Sequence, residues 1–150
     1  MTNDRELLAH AVEQARIGAA EGGIPIGAAL VVAGIVIGAG RNRRVQCASA
    51  IRHGETDALE NAGRQPAAVY AKSTMYTTLS PCHMCTGAIL LYGIPRVVIG
   101  ENRTFMGAED LLRASGVDVV VVDDAECTAM MRAFIAEQPT LWYEDIGVVD

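Results

Sequence analysis

The stretch Thr78-Leu79-Ser80-Pro81-Cys82-His83-Met84-Cys85, taken with His53-Gly54-Glu55 upstream of it, offers two thiols, an imidazole and a carboxyl group. Pro81 has a fixed φ suited to the first turn of a helix, and it lacks an N–H that would go unpaired there. The sequence therefore predicts a helix opening at Pro81. Cys82 and Cys85, three apart, then share one helical face near the N-terminus, where the helix dipole favours thiolate over thiol. His53 and Glu55 are two apart, so one can ligate a metal while the other stands beside it.

The ligand count points to a catalytic zinc ion. Structural zinc sites are closed by four protein ligands, whereas catalytic sites keep three and leave the fourth position to water. Cys47 and Cys127 each lack a second Cys or His at ligand spacing, so neither completes a closed site. The predicted site is His53, Cys82 and Cys85 around zinc, with Glu55 as the base that takes a proton from water and hands it on. By itself the Cys-x-x-Cys pair would equally suit a thioredoxin-like motif or half of a structural zinc site.

These groups need a frame to hold them. Asn3 and Glu6 have capping-box spacing ahead of apolar residues at helical period, predicting a helix over about Asp4–Ala20 that stops at Gly22-Gly23. Two β-branched runs, 24–32 and 35–39, joined by Ala33-Gly34, predict a hairpin. Asn42 follows at its exit, either as a turn residue bonding its own backbone or as a ligand contact. Residues 46–52 show no period and are expected to form a loop before a helix over 53–62. The sequence further predicts a strand at 73–79 feeding the cysteine helix, which runs to Tyr92 and stops at Gly93-Ile94-Pro95. Beyond it come strands at 96–100 and 117–122 and helices at 109–114, 125–137 and 140–147. Strands alternating with helices after an opening hairpin imply an α/β fold, a three-layer α/β/α sandwich around a mixed five-stranded sheet.

A length of 150 residues predicts one domain over 1–150 with a sizeable core. The 51% hydrophobic share is mostly Ala, Val, Ile and Leu, which suits helices packed tightly on a sheet. The net charge is -6, and the one basic cluster, Arg41, Arg43 and Arg44 with Arg52 nearby, reads as a solvated loop or a subunit contact. No nucleic-acid partner is expected from that balance. The longest uncharged apolar stretch, 24–40, is interrupted by Pro25 and glycines, so no membrane partner is expected either. The polar first residues lack a signal core, which predicts a cytoplasmic protein with reduced cysteines.

His-x-Glu together with Pro-Cys-x-x-Cys is the pattern of zinc-dependent nucleobase deaminases. Within that superfamily the chain resembles the fungal-type cytosine deaminases over nearly its whole length. The resemblance runs through Gly22-Gly23-Ile24-Pro25-Ile26-Gly27, His53 to Asn61, residues 76–87, Tyr92-Gly93-Ile94-Pro95-Arg96, 119–124 and Trp142-Tyr143-Glu144-Asp145-Ile146-Gly147. It implies a cytidine deaminase-like fold, a homodimer, and hydrolysis of a small heterocyclic base, cytosine to uracil and ammonia. Zinc on His53, Cys82 and Cys85 would activate the water, and Glu55 would carry its proton to the ring nitrogen and then to the departing ammonia. Asn42 and the Gly54 N–H would fix the ring carbonyl. The Leu79 and Ser80 carbonyls would accept from the ring N–H and the amine, Asp145 would also accept from the amine, and Phe105 and Trp142 would form aromatic walls. Spacing supports part of this: Trp142 and Asp145, three apart on a helix, share a face, giving an apolar cover with one acceptor. Without the resemblance, a Trp packing a terminal helix beside a solvated Asp145 fits as well.

Some residues depart from that family's pattern. His83 stands between the cysteines where these enzymes usually carry an acid. Ile51-Arg52 precede His53 where uncharged residues are expected, and the loop around Phe105 is shortened. These changes leave the chemistry and open the substrate to 5-azacytosine, isocytosine, guanine or an amino-s-triazine such as ammeline. Two other readings share the zinc motif. A tRNA adenosine deaminase usually carries His-Ala-Glu and needs a basic surface, and a non-catalytic zinc-binding interaction domain has no use for Glu55. The apolar end of the cysteine helix, 88–92, is the expected dimer face.

Overall fold

The computed structural model describes residues 3–149, so positions 1, 2 and 150 of the expected domain lie outside the described residues. The elements run α1 (Asp4–Ala20), β1 (Gly27–Val32), β2 (Ile35–Arg41), α2 (Arg44–Cys47), α3 (Gly54–Ala62), α4 (Ala67–Tyr70), β3 (Ser73–Leu79), α5 (His83–Leu91), β4 (Arg96–Glu101), α6 (Glu109–Ala114), β5 (Asp118–Val121), α7 (Ala125–Glu137) and α8 (Pro139–Asp145). The strands form one mixed sheet in the order β2-β1-β3-β4-β5. The first three are antiparallel neighbours, and β3, β4 and β5 run parallel.

Strand alternation divides the interior into two layers. Ala28, Leu30, Met75, Val97 and Ile99 face one side and pack with Ala58 of α3, Ile89 of α5 and Leu112 of α6. Ala29, Val31, Tyr76 and Val98 face the other side, against Leu8, Ala11 and Val12 of α1 and Cys127 of α7. The three-layer α/β/α expectation is therefore met. Helix α3 lies very close on β2 because Gly38 and Gly40 have no side chains. A Cβ on Gly40 would fall 2.3 Å from the Ala58 nitrogen, and one on Gly38 would fall 2.5 Å from the Ala58 carbonyl oxygen. That approach brings the start of α3 to the sheet. A third cluster, Ile24, Ile26, Leu79, Met131 and Trp142, closes the sheet end where β3 and β4 finish. Among the described residues, no helix is long and apolar enough to cross a membrane.

Several boundaries differ from expectation. The first strand begins at Gly27 and not at 24, because Pro25 has no N–H for the ladder and the Ile26 N–H turns back to the Ile24 carbonyl (2.8 Å). The expected loop after Gln46 is partly helical: α2 forms one turn and ends at Ala48, which is left-handed (φ 49°). The cysteine helix starts two residues later than predicted. Pro81 lies outside it, and Cys82 (φ -67°, ψ 176°) is the extended N-cap. The Pro81 carbonyl is engaged instead by the Ala108 N–H (3.1 Å), a contact from a distant loop that local propensity does not register.

Candidate metal centre and active site

His53 and Cys82 hold equivalent places, each the extended N-cap of a nine-residue helix, α3 and α5. The two positive helix ends therefore meet at one point, which favours anionic sulfur there. On α3 the Thr56 hydroxyl accepts the His53 N–H (2.9 Å), fixing the entry of the chain. On α5, Cys85 sits one turn into the helix and is fully buried.

His53 Nδ1 lies 3.4 Å from Cys82 Sγ and 3.7 Å from Cys85 Sγ, with all three donors within 4.8 Å of one another. Tetrahedral zinc, with Zn–S of about 2.3 Å and Zn–N of about 2.0 Å, separates N from S by about 3.5 Å. The trio fits that ion and leaves a fourth position open. The other ring nitrogen, Nε2, faces Asp145 Oδ1 at 3.2 Å. A carboxylate there selects the tautomer that leaves Nδ1 free to ligate. Asp145 Oδ1 also accepts from Asn42 Nδ2 (3.0 Å) and faces Arg44 Nη1 at 3.5 Å.

The electrostatics suit metal binding and proton transfer. Burial pushes the Glu55 carboxyl up to about 7, and the negative charge of Cys82 adds to the effect. Burial opposes charge on His53, yet Asp145 and Cys82 outweigh it and hold the ring at about 10. The hydrogen bond from Cys85 holds Cys82 down at about 4, and the same bond with burial keeps the Cys85 thiol well above its ordinary value. Without metal the cysteines share one proton between them, and the imidazolium balances the thiolate.

A narrow cavity of about 20 Å³, room for about one water-sized sphere, opens beside the donors, walled by His53, Glu55 and Cys82 below and by Phe105, Trp142 and Ile146 above. Phe105 and Trp142 meet edge to face, with ring centroids 5.8 Å apart at 87°. Leu79, Ser80 and Asp145 complete the wall with Ile26. The structure thus gathers most of the predicted site. Gly54 and Asn42 stand behind the lining: Gly54 begins α3 against Gly27, and Asn42 is fully buried. The Asn42 amide makes the expected turn bond, with Oδ1 accepting the Arg44 N–H (3.1 Å), and also donates to Asp145 of the cavity wall. Trp142 and Asp145 share the buried face of α8, which removes the solvated-charge alternative.

The basic cluster is occupied by acids. Arg41 pairs with Glu21 (2.8 Å), Arg43 with the buried Asp57 (3.0 Å), and Arg44 with Asp145. Sequence reasoning passed over Arg44 and Ile26 as site neighbours, and over the buried acids Glu101 and Glu109. Arg44 and Glu109 carry no local signal because their partners Asp145 and Ser80 lie far away in the chain, whereas Glu101 bonds Arg103 and Thr104 close by.

Residues 1–101 match the family described as the cytidine and deoxycytidylate deaminase zinc-binding region. The chain is 54% identical over 146 residues to a cytosine deaminase of Candida albicans, covering 97% of each. It is 31% identical over 147 residues to a tRNA-specific adenosine deaminase of Bacillus subtilis, covering 91% of each. A solved structure from a study of A-to-I editing by tRNA:A34 deaminases superposes with TM-score 0.71 at 26% identity, over 84% of this chain and 99% of the other.

Proposed function

The chain belongs to the cytidine and deoxycytidylate deaminase zinc-binding family, and on that premise we propose that it hydrolyses the free base cytosine to uracil and ammonia. The observation that carries the substrate class is the aromatic cover set directly over the metal donors. Phe105 and Trp142 meet edge to face above His53, Glu55 and Cys82 and leave about 20 Å³ between, far less than pockets for larger ligands, which run from about 300 to 1,000 Å³. That suits a single ring without a sugar. The Candida relative over nearly the full length supports the same choice. The paired arginines and the net charge of -6 leave little for a polyanion to bind, which weighs against a tRNA substrate.

In this reading His53 Nδ1, Cys82 Sγ and Cys85 Sγ hold zinc. Bound there, the ion supplies a water that is nucleophilic at neutral pH. Glu55, poised near 7 by burial, takes a proton from water and gives it to the ring nitrogen beside the reacting carbon, then takes the second proton from the oxygen newly bonded to that carbon and delivers it to the leaving amine. The ring carbon gains a C–O bond and loses its C–N bond, with Glu55 returned to its starting state. The Leu79 and Ser80 carbonyls accept from the ring N–H and the amine, and Asp145 also accepts from the amine. Asn42 and the Gly54 N–H donate to the ring carbonyl, and Asn42 also steadies Asp145. Phe105 and Trp142 close over the ring and exclude bulk water.

The reduced cysteine pair suits a reducing compartment, and we assign the protein to the cytosol. Leu91 and Tyr92 at the end of α5 are exposed at 75% and 43%, which supports a homodimer through this face; light scattering of the purified protein tests it. The substrate test is ammonia release by the zinc-loaded protein from cytosine, 5-azacytosine, isocytosine, ammeline, guanine, adenine, cytidine and an adenosine-containing tRNA stem-loop. Turnover of cytosine is expected. Activity confined to the stem-loop or to guanine contradicts the reading.

A further inference from the structure

Two buried acids that the chemistry does not use lie on either side of the loop 102–108. Glu101 is fully buried at the end of β4, and Glu109, 2% exposed, begins α6. Placing carboxyl groups in a protein interior costs several kcal/mol each unless specific partners answer them. Here most of the partners belong to the loop itself or to Ser80 of the cavity wall, with Glu109 Oε1 also accepting from Asn102 Nδ2 (3.3 Å) and facing Arg113 Nη1 at 3.6 Å. Glu101 Oε2 accepts the backbone N–H groups of Arg103 (2.7 Å) and Thr104 (2.9 Å), and its Oε1 accepts the Thr104 hydroxyl. Its own carbonyl accepts the Ser80 N–H (3.0 Å). Glu109 Oε2 accepts the Ser80 hydroxyl at 2.6 Å, and Ser80 Oγ in turn accepts the Gly107 N–H (2.9 Å).

The loop is therefore tied at both ends to Ser80, which lines the cavity, and it carries Phe105 between the ties. Gly107 makes the close contact possible: a Cβ there would sit 1.8 Å from the Pro81 carbonyl oxygen. We propose that Glu109 is a positioning residue for the deamination, holding Phe105 against Trp142 through Ser80 and Gly107 while Glu101 braces the same loop through Thr104, and thereby keeping the aromatic cover closed over the metal donors. They touch no reacting atom. The inference rests on the deaminase reading for its kinetics but not for its geometry.

Trp142 is the chain's one tryptophan and packs edge-on to Phe105, so its fluorescence reports the loop without any substrate. The experiment compares zinc-loaded wild type, S80A, E109A and E109Q by acrylamide quenching of Trp142, zinc content, and KM and kcat for cytosine. S80A and E109A are expected to keep zinc and to quench more readily. Their KM should rise about tenfold, the cost of one lost buried hydrogen bond, with kcat changed less than about threefold. E109Q keeps an acceptor for the Ser80 hydroxyl and should restore most of both readouts. Quenching and KM at wild-type values in S80A overturn the proposal, as does a fall in kcat at unchanged KM. If E109A does not fold, S80A, which removes one oxygen atom, decides alone. If wild type releases no ammonia from cytosine, the substrate reading fails, and the quenching arm still decides whether the acids hold the loop.

Discussion

Asp145 Oδ1 stands 3.2 Å from His53 Nε2, while Nδ1 of the same ring faces the two sulfurs at 3.4 and 3.7 Å. The carboxylate orients a metal ligand as well as facing the cavity, and this dual position gives a prediction. D145A should weaken zinc binding by about 10- to 100-fold, the usual effect of losing such a partner. D145N keeps an acceptor for the Nε2 proton and should retain most of the affinity. Competition with a chromophoric chelator measures both. D145A with wild-type zinc affinity would leave Asp145 as a substrate contact only.

Zinc uptake should be coupled to proton release. In the metal-free chain His53, held at about 10, carries its proton at pH 7; Cys82, held at about 4, has lost its own; and Cys85 keeps its thiol proton. Binding must expel the protons of His53 and Cys85, about two in all. Affinity should therefore rise by about 100-fold per pH unit between the Cys82 and His53 values. Calorimetry at pH 7 in buffers of different ionisation enthalpy counts the protons, and a release below one contradicts the assigned ligand states.

Removing the metal should cost stability. A thousandfold excess of zinc over its dissociation constant adds about 4 kcal/mol to the folded state. At this chain length that amounts to a Tm shift of about 10 °C. C82A and C85A should melt near the chelated wild type and show no response to added zinc. A zinc-dependent Tm in either variant would displace that cysteine from the ligand set.

Asp57 is 1% exposed and accepts both the Arg41 N–H (2.9 Å) and Arg43 Nε (3.0 Å), joining the Asn42 loop to α3. R43A removes the nearer of two guanidinium groups facing a buried carboxylate, with Arg52 remaining at 3.8 Å, and should cost about 1.5 to 3 kcal/mol in urea unfolding, whereas the D57N/R43A double variant should be more stable than R43A alone. A double variant less stable than R43A would show that the pair is not coupled in this way.

How far the sequence could be read follows from the range of each interaction. Helices α1, α6 and α7 and strand β3 were legible because period, caps and β-branched composition are local. The zinc donors and Glu55 were legible because their spacing within two helix starts is itself the signal. The start of the cysteine helix was not, since Pro81 is held outside it by Ala108 across the 102–108 loop. The short turn α2 and the acids that answer Arg41, Arg43 and Arg44 were hidden for the same reason: Glu21, Asp57 and Asp145 reach that loop from α1's end, α3 and α8. Asn42 could be read as a turn residue or a ligand contact; its amide makes the turn bond and also reaches Asp145, a partner 103 residues away that no local rule could supply.

The most direct measurement is ammonia release from cytosine by wild type and E55Q, each carrying one zinc per chain. The account predicts turnover by wild type and a loss of at least about a thousandfold in E55Q with zinc and Tm retained, as removal of the proton carrier requires. Equal turnover by the two proteins, or an inactive wild type with its zinc in place, would contradict it.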